Sequence, residues 1–381
     1  MASNATPVDD GAELSRQPVS LAFLFAFAVI FFTFVTALSR VYHNHQNALA
    51  VSSYTQGVAD LNAGRFAAAV GEFRSALRYS PDNFEYELSL AEALLGLRRT
   101  DEAREYLNAL RERQPDHARV NLLLARIAAG NGKTDEALRF YHNAIYAAWP
   151  IDQEARRRDT RFELIEYLLT VNSKVQAQSE LIALAASLND QPDQQTRLGQ
   201  LLLRAQDDER ALAAFRISMN SPSHNFADTV GAGTAAFNLG RYPLAQRYLQ
   251  AAVLSDPQDT RSATLLRLTQ LVLQMDPFQR RLSSAQRDKV VIQAFHIAGE
   301  RLTSCSASHN APSASAFQAL VDKWTKMKPE ISERHLQRDP ALAENAMELV
   351  FNIERQTTNW CAAPTEPDMA LLLIARLHEG S

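Results

Sequence analysis

Three eight-residue stretches, AVGEFRSA (residues 69–76), AREYLNAL (residues 103–110) and ALRFYHNA (residues 137–144), recur along this chain at a fixed spacing. Each begins with an alanine, and the three alanines are 34 residues apart. Each stretch also carries an aromatic residue or leucine four positions after that alanine. A fixed period of this length indicates a stacked-repeat architecture.

The recurrence continues beyond these three copies. Ala177 follows Ala137 by 40 residues, and Ala211 and Ala245 then follow at intervals of 34. The six extra residues fall near residues 150–158, and we expect them to lengthen the first helix of the fourth unit. Six units are therefore predicted over residues 50–257.

The pattern resembles the tetratricopeptide repeat family, in which each unit is a helix A, a tight turn and a helix B. The residues that carry the resemblance include Gly64-Arg65-Phe66, Gly132-Lys133-Thr134 and Gly240-Arg241-Tyr242 at the predicted turns. The resemblance implies an all-α, right-handed solenoid of helical hairpins. It also implies that helix A of each unit lines a concave face.

The composition agrees with a helical protein and excludes several other classes. Glycine is scarce, at 13 of 381 residues, and no alternating strand pattern is sustained. The formal net charge of -4 gives no basic excess for neutralising nucleic-acid phosphates. With only two cysteines, the chain cannot be a disulfide-dense scaffold or contain a cysteine-rich zinc site.

The N-terminal region has the pattern of a membrane anchor. Residues 1–16 are a polar tail, whereas residues 17–39 contain no charged residue and are rich in phenylalanine. About 23 residues of helix reach roughly 34 Å, which is enough to cross a hydrocarbon core. The alternative is a cleaved signal peptide, because Ala48-Leu49-Ala50 has the form of a processing site. We predict a transmembrane helix with the bulk of the chain exported, although Arg16 and Arg40 balance the positive-inside count.

Three further segments complete the predicted organisation. Residues 40–49 form a juxtamembrane linker, and residues 258–276 form a helix that caps the last repeat. Residues 277–381 leave the repeat pattern and form a small helical domain. Its helices are expected to begin near Ser284, Ala314, Asp339 and Pro367, with a serine-rich loop over residues 304–313.

Cys305 and Cys361 each lie at the edge of a predicted helix. A bridge between them fits an exported domain, and two unpaired thiols fit a cytosolic one. Both alternatives remain open at this point.

Motifs for catalysis, cofactors or metals are absent from the sequence. It contains no glycine-rich phosphate loop and no Gly-x-Ser-x-Gly elbow, and its nine histidines form no helical zinc pair. We therefore predict no enzyme activity, no cofactor and no metal site. A second hypothesis makes the C-terminal domain a small enzymatic or ligand-binding module, with Cys305, His296 and Trp360 as its candidate residues.

The concave face provides the candidate binding residues. Placing the family's helix A face on this chain predicts a groove lined by Tyr54, Asn62, Glu92, Arg119, Arg126, Glu166, Gln200, Arg204 and Asn238. Acidic and basic residues alternate between units, so they either contact a partner or form a ladder of ion pairs between neighbouring helices.

These observations predict a membrane-anchored scaffold that binds a protein or peptide partner through the concave face, the C-terminal domain or both. The membrane contact is assigned to residues 17–39, and no nucleic-acid partner is expected. A bacterial inner-membrane protein with its repeats in the periplasm fits this pattern. Self-assembly through the transmembrane helix or the final leucine-rich helix stays open.

Overall fold

A computed structural model describes residues 17–188, 191–222, 225–307 and 315–378. These ranges contain eighteen α-helices, two short 3-10 helices and no β-strand. The predicted tail at residues 1–16, part of the serine-rich loop, His224 and His309 lie outside the described residues. The all-α prediction is confirmed.

The chain forms two compact units, residues 1–164 and residues 165–381. The helices of the first unit are α1 (Gln17–Asn62), α2 (Phe66–Tyr79), α3 (Phe84–Gly96), α4 (Thr100–Arg113), α5 (Ala118–Gly130) and α6 (Thr134–Tyr146). A 3-10 helix (Ile151–Gln153) then leads into α7 (Glu154–Thr170), within which the division between the units falls.

The second unit continues the hairpins and then adds helices that do not follow the repeat. Its helices are α8 (Lys174–Ala185), α9 (Pro192–Arg204), α10 (Asp208–Met219), α11 (Phe226–Asn238), α12 (Tyr242–Ser255), α13 (Thr260–Met275), α14 (Ser284–Ala307), α15 (Ser315–Met327), α16 (Glu333–Arg338), α17 (Pro340–Trp360) and α18 (Glu366–His378). A second 3-10 helix, Lys328–Glu330, lies between α15 and α16.

The turns within the hairpins repeat with the same period as the alanines. Six residues with positive φ lie at these turns, and they are Gly64, Arg98, Gly132, Asn172, Gln206 and Gly240. In every case the next residue donates its backbone N–H to a carbonyl five positions earlier, as Arg65 does to Asp60 at 2.8 Å. This is the Schellman arrangement, which ends a helix with one left-handed residue. The 34-residue period therefore fixes where each helix A ends.

The recurrent alanines allow the two helices of each hairpin to approach closely. Ala69, Ala103 and Ala137 are completely buried, as is Phe73 one turn after the first of them. A methyl group on Gly57 would lie 2.7 Å from the Phe73 ring, which is closer than carbon atoms approach without displacement. The packing of α1 against α2 thus requires the small residue at Gly57.

Helix α1 runs without interruption from the apolar segment into the first repeat. Residues 40–49, predicted as a linker, are helical throughout. The side chains of residues 22–34 are exposed, whereas Ala50 is buried with Ala76 and Tyr86. The first hairpin therefore begins on the same helix that carries the apolar segment.

The C-terminal helices share one hydrophobic core with the end of the repeats. This core joins Tyr242 on α12 and Met275 on α13 to Met347 on α17 and Leu371 on α18. The core therefore runs across residue 277, where the sequence predicts a domain boundary. Helix α13 is packed between α12 and α18, so its outer face is covered by the helices that follow.

Several C-terminal details differ from the sequence-based expectations. Residues 304–307 were expected to be in a loop but form the last turn of α14. Helix α16 was not predicted, because six residues are too few to show a helical period.

Candidate functional site

The first helices of successive hairpins in the first unit line a groove with a volume of about 960 Å³. Most of its lining residues come from α1, α3, α5 and α7, and they include Tyr54, Val58, Leu61, Asn62, Ser89, Glu92, Leu95, Arg119, Leu122, Leu123, Arg126, Ile127, Arg156, Asp159 and Glu163. Thr100 at the start of α4 and Trp149 after α6 also line the groove. The volume lies at the upper end of the usual range for ligand sites. The groove is therefore large enough to hold a segment of another chain.

Apolar and uncharged polar side chains make up much of the groove wall. Leu123 and Ile127 are buried on α5, and Leu122 beside them is partly exposed. The Tyr54 ring of α1 lines the groove and stacks on Tyr86 of α3 with ring centroids 4.6 Å apart. A partly exposed apolar surface beside hydrogen-bonding groups is the ordinary composition of a binding site.

Arg119 is held between two carboxylates of α3. Its guanidinium lies 3.2 Å from a Glu85 oxygen and 2.7 Å from a Glu92 oxygen. Burial opposes the charge of Arg119, but the attraction of Glu92 and Glu85 outweighs that effect, so its pKa is raised. Arg119 is therefore a fixed cation whose counter-charges come from α3, the first helix of the preceding hairpin.

Arg126, one heptad further along α5, is bound by Glu163 of α7. Two hydrogen bonds of 2.8 Å join the guanidinium to the two carboxylate oxygens. The hydrogen bond to Glu163 is the largest effect on Arg126, and it raises the pKa of the guanidinium above its ordinary value. Arg126 therefore pairs with Glu163, whereas the predicted groove residue Glu166 binds Arg197 at 2.8 Å.

Trp149 and Arg119 also line a second depression of about 520 Å³, so the two depressions are adjacent. The indole N–H of Trp149 donates to the Ala144 carbonyl at 2.7 Å, which fixes the ring. His117 lines the second depression and accepts a hydrogen bond from the Val120 N–H through Nδ1. Burial lowers the pKa of His117, which favours the neutral ring that this hydrogen bond requires.

The nine predicted groove residues are divided between the two compact units. Tyr54, Asn62, Glu92, Arg119 and Arg126 line the groove of the first unit.

The other four predicted residues belong to the second unit. Glu166, Gln200 and Arg204 line a depression of about 430 Å³ there. Asn238 lines a fourth depression beside Tyr242, and its amide donates to Asp208 at 2.8 Å.

Some lining residues were not identified from the repeat pattern. Leu122 and Leu123 lie one helical turn after Arg119, so helical periodicity alone would have placed them on the same face. Trp149 and Arg156 come from the insertion near residues 150–158, where no repeat position exists for comparison.

Cys305, Trp360 and His296, the candidate residues of the C-terminal region, each contact another side chain. Cys305 is buried and is joined to Cys361 by a disulfide bond, with the Cα atoms 5.4 Å apart. Trp360 packs edge-on against Phe317. His296 is exposed and lies 3.4 Å from Glu300. The bonded Cys305 sulfur has no thiolate to offer as a nucleophile.

Residues 61–127 match the tetratricopeptide repeat family. The matched residues run from the end of α1 to α5, and they include the turn at Arg98 and the groove residues Glu92, Arg119 and Arg126. The prediction of tetratricopeptide repeats is thus confirmed for residues 61–127. No curated protein matches the chain.

Several solved structures are similar to the chain at low sequence identity. PilF of Pseudomonas aeruginosa is 15% identical, with 57% of this chain and 97% of that chain covered and a TM-score of 0.43. PilW, a type IV pilus biogenesis factor, is 16% identical, with coverage of 58% and 99% and a TM-score of 0.42. The C-terminal part of a repeat-containing protein from Cytophaga hutchinsonii is 11% identical, with coverage of 80% and 98% and a TM-score of 0.44.

Proposed function

We propose that this protein is a membrane-anchored scaffold that binds an extended segment of a partner protein in the groove of its first unit. No catalytic step is part of this proposal. The groove is the observation that carries it, because a volume of about 960 Å³ is lined by four successive A helices. A surface built from four helices can contact several consecutive residues of a partner.

The internal ion pairs of the groove favour a preformed site. Arg119 and Arg126 are already held by carboxylates, so their side chains lose little conformational freedom when a partner binds. The ion pairs between neighbouring helices are thus compatible with partner binding, because they hold α3, α5 and α7 in place around the groove.

Helix α1 supports the membrane anchor. Its residues from Ala22 onward have a mean hydropathy of 2.3 over the most apolar 18-residue window, and none of that window is buried. Exposing so many large apolar side chains to water is costly, and a bilayer removes that cost. A signal sequence has the same composition, so the choice depends on the cleavage site.

The position of Ala50 favours an anchor over a cleaved signal. Ala50 belongs to the candidate processing site, yet it is 1% exposed and packs with Ala76 and Tyr86 in the middle of a continuous helix. Cleavage beside Ala50 would remove the helical residues that precede the first hairpin.

The exported orientation is part of the same proposal. A disulfide between Cys305 and Cys361 persists in an oxidising compartment, which supports placing the repeats in a periplasm or an equivalent space. We therefore propose a single-pass protein of a bacterial inner membrane with its repeats on the exported side.

The groove is tested by site-specific photo-crosslinking in intact cells. Asn62 lines the groove and is exposed, so a benzoylphenylalanine introduced there would face a bound partner. Tyr146 is 70% exposed and does not line the groove, which makes it the matched control position. Discrete adducts are expected at position 62 and not at position 146.

A second substitution links the adduct to the groove itself. Leu122→Glu places a charge on the apolar groove surface and is expected to abolish the position-62 adduct while the protein remains in the membrane fraction. Equal adducts at both positions, or an adduct that survives Leu122→Glu, would contradict the proposed function. An adduct at twice the mass of the chain would instead indicate self-assembly.

Alkaline carbonate extraction tests the anchor separately. The full chain is expected in the pellet, and a chain lacking residues 17–39 in the supernatant. Release of the full chain by carbonate would show that α1 does not span the membrane.

A further inference from the structure

The three arginines of the first-unit groove differ in their counter-charges. Arg119 is bound by Glu85 and Glu92, and Arg126 is bound by both oxygens of Glu163. Arg156 is exposed at the start of α7 and makes no ion pair with any residue in the described part of the chain. Arg156 is thus the groove cation whose charge is left for a ligand.

The surroundings of Arg156 are built by the insertion that interrupts the repeat. Trp149 lies at the beginning of the inserted stretch, and its ring is fixed by the hydrogen bond to Ala144. The 3-10 helix Ile151–Gln153 then leads directly into α7. The insertion therefore adds one aromatic side chain and one cation to a groove whose other two arginines are bound by carboxylates.

We propose that Arg156 makes the groove selective for an acidic side chain of the bound segment, with Trp149 contacting the apolar part of that segment. This inference rests on the proposed function, since it assigns the chemistry of the ligand that the groove binds. Arginine is suited to the task because its planar guanidinium donates two parallel hydrogen bonds to one carboxylate. The ligand is thus an extended peptide with an aspartate or glutamate next to an apolar residue.

Two of the three acidic residues that line the groove with Arg156 are bound by other side chains. Glu163 is engaged by Arg126 and by the Tyr141 hydroxyl, and Glu92 is engaged by Arg119. Asp159 lies one helical turn after Arg156 on α7, which makes the local charge mixed. A peptide carboxylate that reached Arg156 would therefore be bound by one arginine at one position, so a single acidic position is expected.

The test is peptide selection with the full chain in lipid nanodiscs. The probe is a positional-scanning library of amidated dodecapeptides, so that no free terminal carboxylate competes with side chains. The unmodified protein is expected to enrich aspartate and glutamate at one peptide position beside an apolar one. A parallel library that replaces this acid by phosphoserine, and another with a free C-terminus, separate a side-chain carboxylate from the other anions.

Two variants of neighbouring residues supply the matched comparison. Arg156→Gln removes the cation with little change in size, and it is expected to weaken the selected peptide about tenfold and to abolish the acidic preference. Arg157→Gln is the control, because Arg157 is also an exposed arginine of α7 but is bound to Glu154 at 3.0 Å and does not line the groove. Its affinity for the peptide is expected to stay within about twofold of the unmodified protein.

Charge reversal gives a readout that loss of folding would not produce. Arg156→Glu is expected to select lysine or arginine at the position where the unmodified protein selects an acid. Peptides selected without an acidic position, or an acidic preference that survives Arg156→Gln, would overturn this inference while leaving the scaffold proposal intact. Failure of every peptide to bind would overturn both.

Discussion

Arg126 and Glu163 are 37 positions apart, yet two hydrogen bonds of 2.8 Å join the guanidinium of one to the carboxylate of the other. The Tyr141 hydroxyl donates to the same carboxylate at 2.8 Å. This arrangement connects α5, α6 and α7 across the insertion at residues 150–158. It also fixes one wall of the groove.

A double-mutant cycle measures this connection. Arg126→Gln and Glu163→Gln are expected to show a coupling energy of about 1 kcal/mol in urea unfolding, since a bidentate pair exceeds an ordinary exposed one. Arg74 and Glu102, which are joined by one contact of 2.7 Å outside the groove, form the control pair. Equal coupling in the two cycles would show that bidentate geometry adds nothing here.

The left-handed turn residues predict a stabilising substitution. Arg98 has φ of 60°, a conformation that costs a residue with a Cβ about 1 kcal/mol and glycine nothing. Arg98→Gly is expected to raise the free energy of unfolding by about 0.5 kcal/mol after the entropy of the unfolded glycine is included.

Two comparison substitutions at equivalent turns isolate this effect. Asn172→Gly should raise the free energy of unfolding by less than Arg98→Gly does, because asparagine tolerates the left-handed region. Gly64→Ala should lower the free energy of unfolding by about 1 kcal/mol, because Gly64 has a positive φ. This loss is expected although the added Cβ would meet no atom within 4 Å. A destabilised Arg98→Gly variant would show that contacts of the arginine side chain outweigh backbone strain.

The bridge between Cys305 and Cys361 predicts the thiol content of the protein. Unfolded and unreduced protein should bind no thiol-reactive label, and reduced protein should bind two equivalents. Closing a 56-residue span contributes about 4 kcal/mol in the chain-entropy model, so reduction should markedly lower the stability of the second unit. Two labelled thiols before reduction would show that the bridge is absent from the isolated protein.

A buried carboxyl group predicts how stability depends on pH. Glu354 is fully buried, and neither carboxyl oxygen has a hydrogen-bond partner within the described ranges. Burial raises its pKa to about 8, Asp368 adds to that effect, and Arg301 opposes it. The folded protein therefore holds a proton that the unfolded chain releases near pH 4.5.

This difference in pKa makes the folded protein less stable as the pH rises. The contribution of Glu354 to the free energy of unfolding is complete below about pH 4.5 and is lost as the pH rises through about 8, because the folded state binds more protons than the unfolded chain in that interval. Glu354→Gln should flatten the decline in stability between these values, whereas Glu348→Gln, at an exposed position on the same helix, should not. An unchanged pH profile in Glu354→Gln would assign the decline to other groups.

Much of the fold could be predicted from the sequence because the repeat is a local device. Small residues such as Gly57 and Ala69 set the distance between the helices of a hairpin, and glycines such as Gly64 end helix A. Both requirements act within about 40 residues of chain, so they appear as a period. The turn at Arg98 obeys the same geometry without glycine, and its place could be found only from the spacing of its neighbours.

The candidate site was less predictable, because it depends on which side chains meet across several helices. The sequence by itself determined the helical hairpins, the apolar run within α1 and the helix faces that carry Tyr54, Arg119 and Arg126. Only the tertiary structure decided that Arg126 binds Glu163 and that Arg156 is left without an ion-pair partner among the described residues. Helical periodicity states which face a residue occupies, whereas the pairing of charges depends on distances between helices that no local pattern records.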